Sequence, residues 1–110
     1  MTLAEYQEKA ARTVNTRLSA RETEMHALHG IAGETGEIHS LYQKKYQGHP
    51  LEDAHLKKEL GDLIWFVAEM CTAKGWDLEE IGRLNIEKLR ARYPEGFEAE
   101  RSLHRRKGDV

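Results

Sequence analysis

Apolar residues recur along this chain at spacings of three and four, and no segment alternates convincingly, so the pattern predicts helices and no strands. Leu3, Tyr6, Ala10 and Val14 share one face of a first helix, opened by the capping box Thr2-x-x-Glu5 and running to about residue 15. A second box, Ser19-x-x-Glu22, opens a long helix to about Gln47; Gly48 ends it and His49-Pro50 prevents continuation. The third helix starts at about Leu51 or Glu52 and runs to Lys74, with Gly75 as its stop. Its apolar stripe is Leu56, Leu60, Leu63, Ile64, Val67 and Met70. Asp77-x-x-Glu80 caps a fourth helix to about Arg92, which Pro94 and Gly96 end. From Glu98 onward the chain is polar and rich in Arg, and reads as a tail that is mobile alone or pinned by a partner subunit. The expected fold is all-α, a four- to five-helix bundle-like domain over residues 1–97 with a polar tail over 98–110.

Two pairs of carboxylates stand out against this pattern. Glu34 and Glu37 lie on the second helix, Glu59 and Asp62 on the third, and each pair is spaced i, i+3 on one helix face. The pairs are mirrored about Gly48, so two helices folding back on each other would bring all four acids to one level. Such a cluster repels itself without a counter-charge. Hard divalent cations are the simplest one, and oxygen-only ligation suits Mg²⁺ or Mn²⁺. The acids sit among Ile31, Ala32 and Ile38 on one side and Leu60, Leu63 and Ile64 on the other, which favours partial burial and hence a partner or a metal. Gly30, Gly33 and Gly36 also recur in the middle of the second helix, each at a cost of about 1 kcal/mol relative to Ala. Close approach of another backbone, or of a ligand to the carboxylate face, is the expected reason, and Gly61 fits the same argument.

Composition narrows the alternatives. A length of 110 residues is one domain, and with two Trp, two Phe and 33% charged residues its core is thin, which favours burial in an oligomer. A net charge of −2 gives no bulk electrostatic case for nucleic-acid binding. The lone Cys71 cannot form an intramolecular disulfide and reads as a small buried residue. No apolar run approaches a membrane span and the first residues do not resemble a signal peptide, so the expectation is a soluble, cytoplasmic protein.

Asn85, Lys88 and Arg92 fall on one face of the fourth helix, with Tyr93 next, and Lys44 and Lys45 end the second helix. Cations beside a carboxylate–metal cluster are what a polyphosphate requires. The alternative is a solvated basic face with Lys88 and Arg92 paired to Glu87 or Glu95. His26 and His29 are spaced to ligate a metal but lack an obvious third ligand, so surface or packing roles are favoured. Trp65, one turn beyond Asp62, is positioned either to stack on a base or to pack in the core. No phosphate-binding GxxxxGK[ST] loop and no GxSxG nucleophile occur.

From Leu3 to Phe97 the chain resembles the MazG-like all-α nucleoside triphosphate pyrophosphohydrolases, especially their small single-domain members. The resemblance rests on Leu3-x-x-Tyr6-Gln7-x-x-Ala10, on Gly30-Ile31-Ala32-Gly33-Glu34-Thr35-Gly36-Glu37-Ile38 with Lys44-Lys45, on Leu56-x-x-Glu59-Leu60-Gly61-Asp62-Leu63-Ile64-Trp65, and on Asn85-x-x-Lys88-Leu89-x-x-Arg92-Tyr93-Pro94-x-Gly96-Phe97. It implies Mg²⁺ on Glu34, Glu37, Glu59 and Asp62, substrate contacts from Asn85 and Lys88, and hydrolysis of a (d)NTP between its α- and β-phosphates. It also implies a homodimer or homotetramer. A departure is His29, where many relatives look apolar. A specialised dUTP, dCTP or phosphoribosyl-ATP pyrophosphatase would carry the same acids. The readings from other classes are a non-catalytic nucleotide- or metal-binding module, and a structural helical dimer with solvated acids, whose melting would not respond to Mg²⁺.

Overall fold

The structure is a computed structural model that describes residues 1–110. It contains α1 (Leu3–Ala11), α2 (Ala20–Lys45), α3 (Asp53–Lys74), α4 (Leu78–Arg92) and α5 (Ala99–Leu103), with no strand and a single isolated bridge between Pro94 and Gly96. The all-α expectation holds. No helix is long and apolar enough to cross a membrane. The chain divides into two units, Met1–Leu78 and Glu79–Val110.

In the first unit, both predicted capping boxes form. Thr2 and Glu5 exchange bonds at α1, as do Ser19 and Glu22 at α2. Helices α2 and α3 end alike. The amides of His49 and Gly48 donate to the carbonyls of Lys44 and Lys45, and those of Trp76 and Gly75 donate to Cys71 and Thr72. This double bond pattern needs a left-handed residue, and Gly48 (φ 93°) and Gly75 (φ 70°) supply it. Helix α1 stops at Ala11 rather than near residue 15. There the Thr13 hydroxyl donates to the Ala10 carbonyl and the Asn15 side chain accepts from the Arg17 amide, offering the backbone an alternative to helix.

Helices α2 and α3 form an antiparallel hairpin in the register read from the sequence. Lys74 pairs with Glu24 at 3.1 Å, Glu69 meets His26, Phe66 lies against Gly30, and Glu59 and Asp62 reach Glu34. Helix α1 lies on α3. The Gln7 amide nitrogen donates to the Trp76 carbonyl at 2.9 Å and its oxygen accepts from the Leu78 amide at 2.8 Å. The core is thin, as composition implied. Ala10, Ala68, Cys71 and Leu78 are buried together, with Tyr6, Trp65 and Val67 packed against them. Small side chains dominate it, and each excludes less apolar area from water than Leu or Phe would.

The largest fully buried side chain is a carboxylate, Glu69, only 2% exposed. His26 Nδ1 lies 2.7 Å from its Oε1 and donates to it when the carboxylate is ionised. His26 also rests against the Phe66 ring, so it packs rather than ligates a metal. Replacing His26 with Ala leaves the Glu69 oxygen desolvated and unpartnered. The expected loss is about 1–3 kcal/mol in denaturant unfolding, and His26→Asn should recover part of it.

Within the chain, only Gly30 among these glycines is closely approached. A Cβ at Gly30 would lie inside the Phe66 ring, so a side chain and not a backbone makes the close approach. Gly33, Gly36 and Gly61 face open space.

In the second unit the Arg-rich tail is not featureless. It forms α5, and Asp109 returns to α4, where both its oxygens accept from Arg92 at 2.7 and 2.8 Å. Arg92 is thereby the buckle that holds the tail, its side chain only 9% exposed.

Candidate metal and catalytic site

The hairpin brings together three of the four predicted acids. One oxygen from each of Glu34, Glu59 and Asp62 lies within 4.8 Å of the others. Glu37 is exposed and outside that group, although its charge still acts on Glu34. Glu59 and Asp62, at the same i, i+3 spacing on α3, both belong to the group, so spacing alone does not separate Glu37 from Glu34. Three of the four predicted acids thus bring carboxylate oxygens together at one level of the hairpin.

Glu34 is the least comfortable member. Its Oε2 is shielded from solvent and has no hydrogen-bond partner. Burial first, then the contact with and charge of Glu59, then the charges of Asp62 and Glu37, push its pKa up to about 7 from 4.5. Without a counter-charge the cluster therefore keeps a proton near neutral pH. Two neighbours escaped the sequence reading. His55 Nε2 lies 3.1 Å from Glu59 Oε1, one turn away on α3, a pairing that its i, i+4 spacing signalled. Tyr6 on α1 has its pKa raised by burial and by the charge of Asp62, which puts that side of α1 next to the acids.

The other predicted site residues are placed as follows. Lys44 is exposed in the last turn of α2. Trp65 is committed to packing: its indole N–H donates to the Thr13 hydroxyl at 2.9 Å and its ring meets Phe66 edge-on. Asn85 and Lys88 are exposed on α4. Arg92 is taken up by Asp109, and Tyr93 packs on Phe97. The alternative pairing of Lys88 and Arg92 with Glu87 or Glu95 is not observed: Glu87 pairs with Arg83 at 2.8 Å, and Arg92 pairs with Asp109.

An acid cluster in a helical hairpin is not by itself an activity. The family model of the MazG nucleotide pyrophosphohydrolase domain matches residues 22–97, more than half of the chain and all four acids. The chain belongs to this family. Membership implies a hydrolase acting on nucleotides, in a family that typically depends on metal. Neither the curated proteins nor the solved structures compared with the chain give a match.

The residues present fit a divalent cation. Glu34 has a shielded oxygen without a hydrogen-bond partner, one of its oxygens groups with those of two further carboxylates, and the set is all oxygen. A pH dependence follows. The proton that Glu34 holds must leave before a cation binds. Because its folded pKa lies above its unfolded one, the folded protein binds more protons, and metal-free stability falls as pH rises from about 4.5 toward about 7. The melting-temperature gain on adding Mg²⁺ should therefore be larger at pH 8 than at pH 6. Differential scanning fluorimetry at both pH values, with and without EDTA, checks this.

Proposed function

We propose that this chain hydrolyses nucleoside triphosphates between the α- and β-phosphates, giving a nucleoside monophosphate and pyrophosphate, with Mg²⁺ as the working cation and Mn²⁺ as a substitute. The observation that carries this reading is the cluster of Glu34, Glu59 and Asp62 oxygens, with a shielded, unpartnered oxygen on Glu34, in a chain of this family. When bound, the cation would polarise the phosphate oxygens and neutralise the charge that develops as pyrophosphate leaves. Glu34, Glu59 and Asp62 would hold it. His55 orients Glu59 by its hydrogen bond. Glu37 stays outside the tight group and exposed. We assign it the proton of the attacking water, whose oxygen forms the new bond to the α-phosphorus as the α–β anhydride bond breaks. Asn85 and Lys88 are the proposed phosphate contacts on α4, with Lys44 a further candidate. Trp65, Arg92 and Tyr93 already have partners that support structural roles.

The same reading makes the protein a homodimer or homotetramer. Leu28, Leu60 and Ile64 on the hairpin are 44–48% exposed, while the core of the unit is small. Sedimentation as a monomer at micromolar concentration would contradict that part.

The test of substrate class is a panel of NTPs and dNTPs, including modified bases, with Mg²⁺ or with EDTA. A broad profile supports a general enzyme. A sharp preference for dUTP, dCTP or a phosphoribosyl nucleotide assigns the specialised relative. No turnover across the panel would leave a binding module.

A further inference from the structure

Glu69 is a buried acid that the proposed hydrolysis leaves without a role. Its side chain is 1% exposed, and a carboxylate at that depth is costly unless it is paired. Its partner is His26, whose side chain is 53% exposed and whose Nδ1 lies 2.7 Å from Glu69 Oε1. A neutral imidazole carries one N–H. Donated from Nδ1 to the carboxylate, that hydrogen leaves Nε2 as an acceptor. The ring makes no other hydrogen bond. A buried carboxylate thus holds a half-exposed histidine in one tautomer, with its acceptor nitrogen free for a ligand.

The pairings across the hairpin place this group relative to the acids. His26 meets Glu69, Gly30 meets Phe66, and Glu34 meets Asp62 and Glu59. Along α2, His26 and Glu34 are about 12 Å apart at roughly 1.5 Å per residue. That is close to the reach of one nucleotide from its α-phosphate to the outer edge of its base. Between the two levels lies the half-buried Phe66 ring, an apolar surface on which a base can stack. His26, Gly30, Gly33 and Glu37 follow one another at spacings of four, three and four, on one face of α2. A Cβ at Gly33 would meet nothing within 4 Å, so that face is open between the histidine and the acids.

We propose that His26 reads the base of the bound nucleotide, its Nε2 accepting from the exocyclic amino group on the pairing edge of cytosine or adenine. Glu69 is the positioning residue that fixes the tautomer. The carbonyl that uracil, thymine or guanine has in place of that amino group would set acceptor against acceptor. Amino bases are therefore favoured over keto bases. The inference rests on the proposed function for where the phosphates sit, but the base contact itself needs no turnover.

The test is isothermal titration of the full chain at pH 8 with Mg²⁺, using α,β-imido analogues of dCTP and dUTP, which the proposed hydrolysis cannot cleave. The two share sugar and phosphates and differ at one exocyclic group. The cytosine analogue should bind about tenfold or more tightly than the uracil one. In His26→Asn the amide nitrogen takes the place of Nδ1 beside Glu69, and nothing takes the place of Nε2. That variant should bring the two affinities to parity. Glu69→Gln lets the carboxamide donate to or accept from Nδ1, so the ratio should shrink there too. Circular dichroism checks that both variants are folded. Equal affinities in the parent overturn the proposal, as does failure of both analogues to bind. A ratio that survives in folded His26→Asn also overturns it, even where both affinities fall together, since a merely structural histidine would weaken the two alike. A His26-dependent ratio in a chain that hydrolyses no triphosphate would uphold the base contact and sink the proposed hydrolysis. Hydrolysis with equal affinities would do the reverse.

Discussion

Glu34→Gln and Glu59→Gln should each reduce Mg²⁺-dependent turnover roughly a thousandfold, because each removes a charged ligand where phosphate charge must be neutralised. Neither change alters side-chain volume much, so both variants should fold. The two also differ from Glu37→Gln in a second readout. The first pair should lose the Mg²⁺-induced rise in melting temperature, since they break the three-oxygen group. Glu37→Gln should keep most of that rise while losing kcat, as expected of a base outside the group. Glu34→Gln carries a further signature. It removes a carboxylate whose charged form is disfavoured, so at pH 8, above its pKa of about 7, the metal-free variant should melt higher than the parent. At pH 5 that advantage should largely vanish. Steady-state kinetics and thermal melts of the three variants make the comparison. Equal loss of the Mg²⁺ response in all three would remove the distinct role given to Glu37.

Gly30→Ala should be the most damaging single methyl in the first unit. The added carbon would fall within the Phe66 ring, against its Cδ1, Cε1 and Cγ atoms. Phe66 in turn packs on Trp65 and His26, so moving the ring disturbs both contacts. Overpacking of this kind costs about 1–3 kcal/mol, and the better helix propensity of Ala returns only about 1 kcal/mol or less. The melting temperature should fall by several degrees, about 4–8 °C per kcal/mol for a domain of this size. Gly33→Ala and Gly36→Ala meet nothing within 4 Å and should gain stability from the same propensity term. Destabilisation at Gly33 or Gly36 would mean that something packs on that face in solution, as the proposed oligomer or a bound nucleotide would.

The contrast among these glycines shows how far the sequence could be read. Regular spacing and chemically specific stop signals made the hairpin legible. Ser19 and Glu22 begin α2, Gly48 and Gly75 end α2 and α3, and the mirrored acids set the register. Spacing along the helices gave the level of the acids, but not that Glu37 would stand outside the tight group formed by Glu34, Glu59 and Asp62. The end of α1 was overestimated because Val14 continues an apolar stripe that the Thr13 and Asn15 side chains interrupt. Glu69 was missed because a lone acid between Ala68 and Met70 looks like a lapse in the stripe. Only its partner His26, across the hairpin, explains it. The tail was read from composition alone. Its order depends on one acid, Asp109, reaching an arginine 17 residues earlier in the chain. Pairings of that kind have no local signature.

The central claim is the bond that breaks, and ³¹P NMR of the products tests it most directly. A triphosphate identified from the panel is incubated with the protein and Mg²⁺, with an EDTA control and with Glu59→Gln. The account predicts the resonances of a nucleoside monophosphate and pyrophosphate, growing together, absent in EDTA and nearly absent in the variant. Nucleoside diphosphate with orthophosphate would contradict it, and so would turnover that persists in EDTA or in Glu59→Gln.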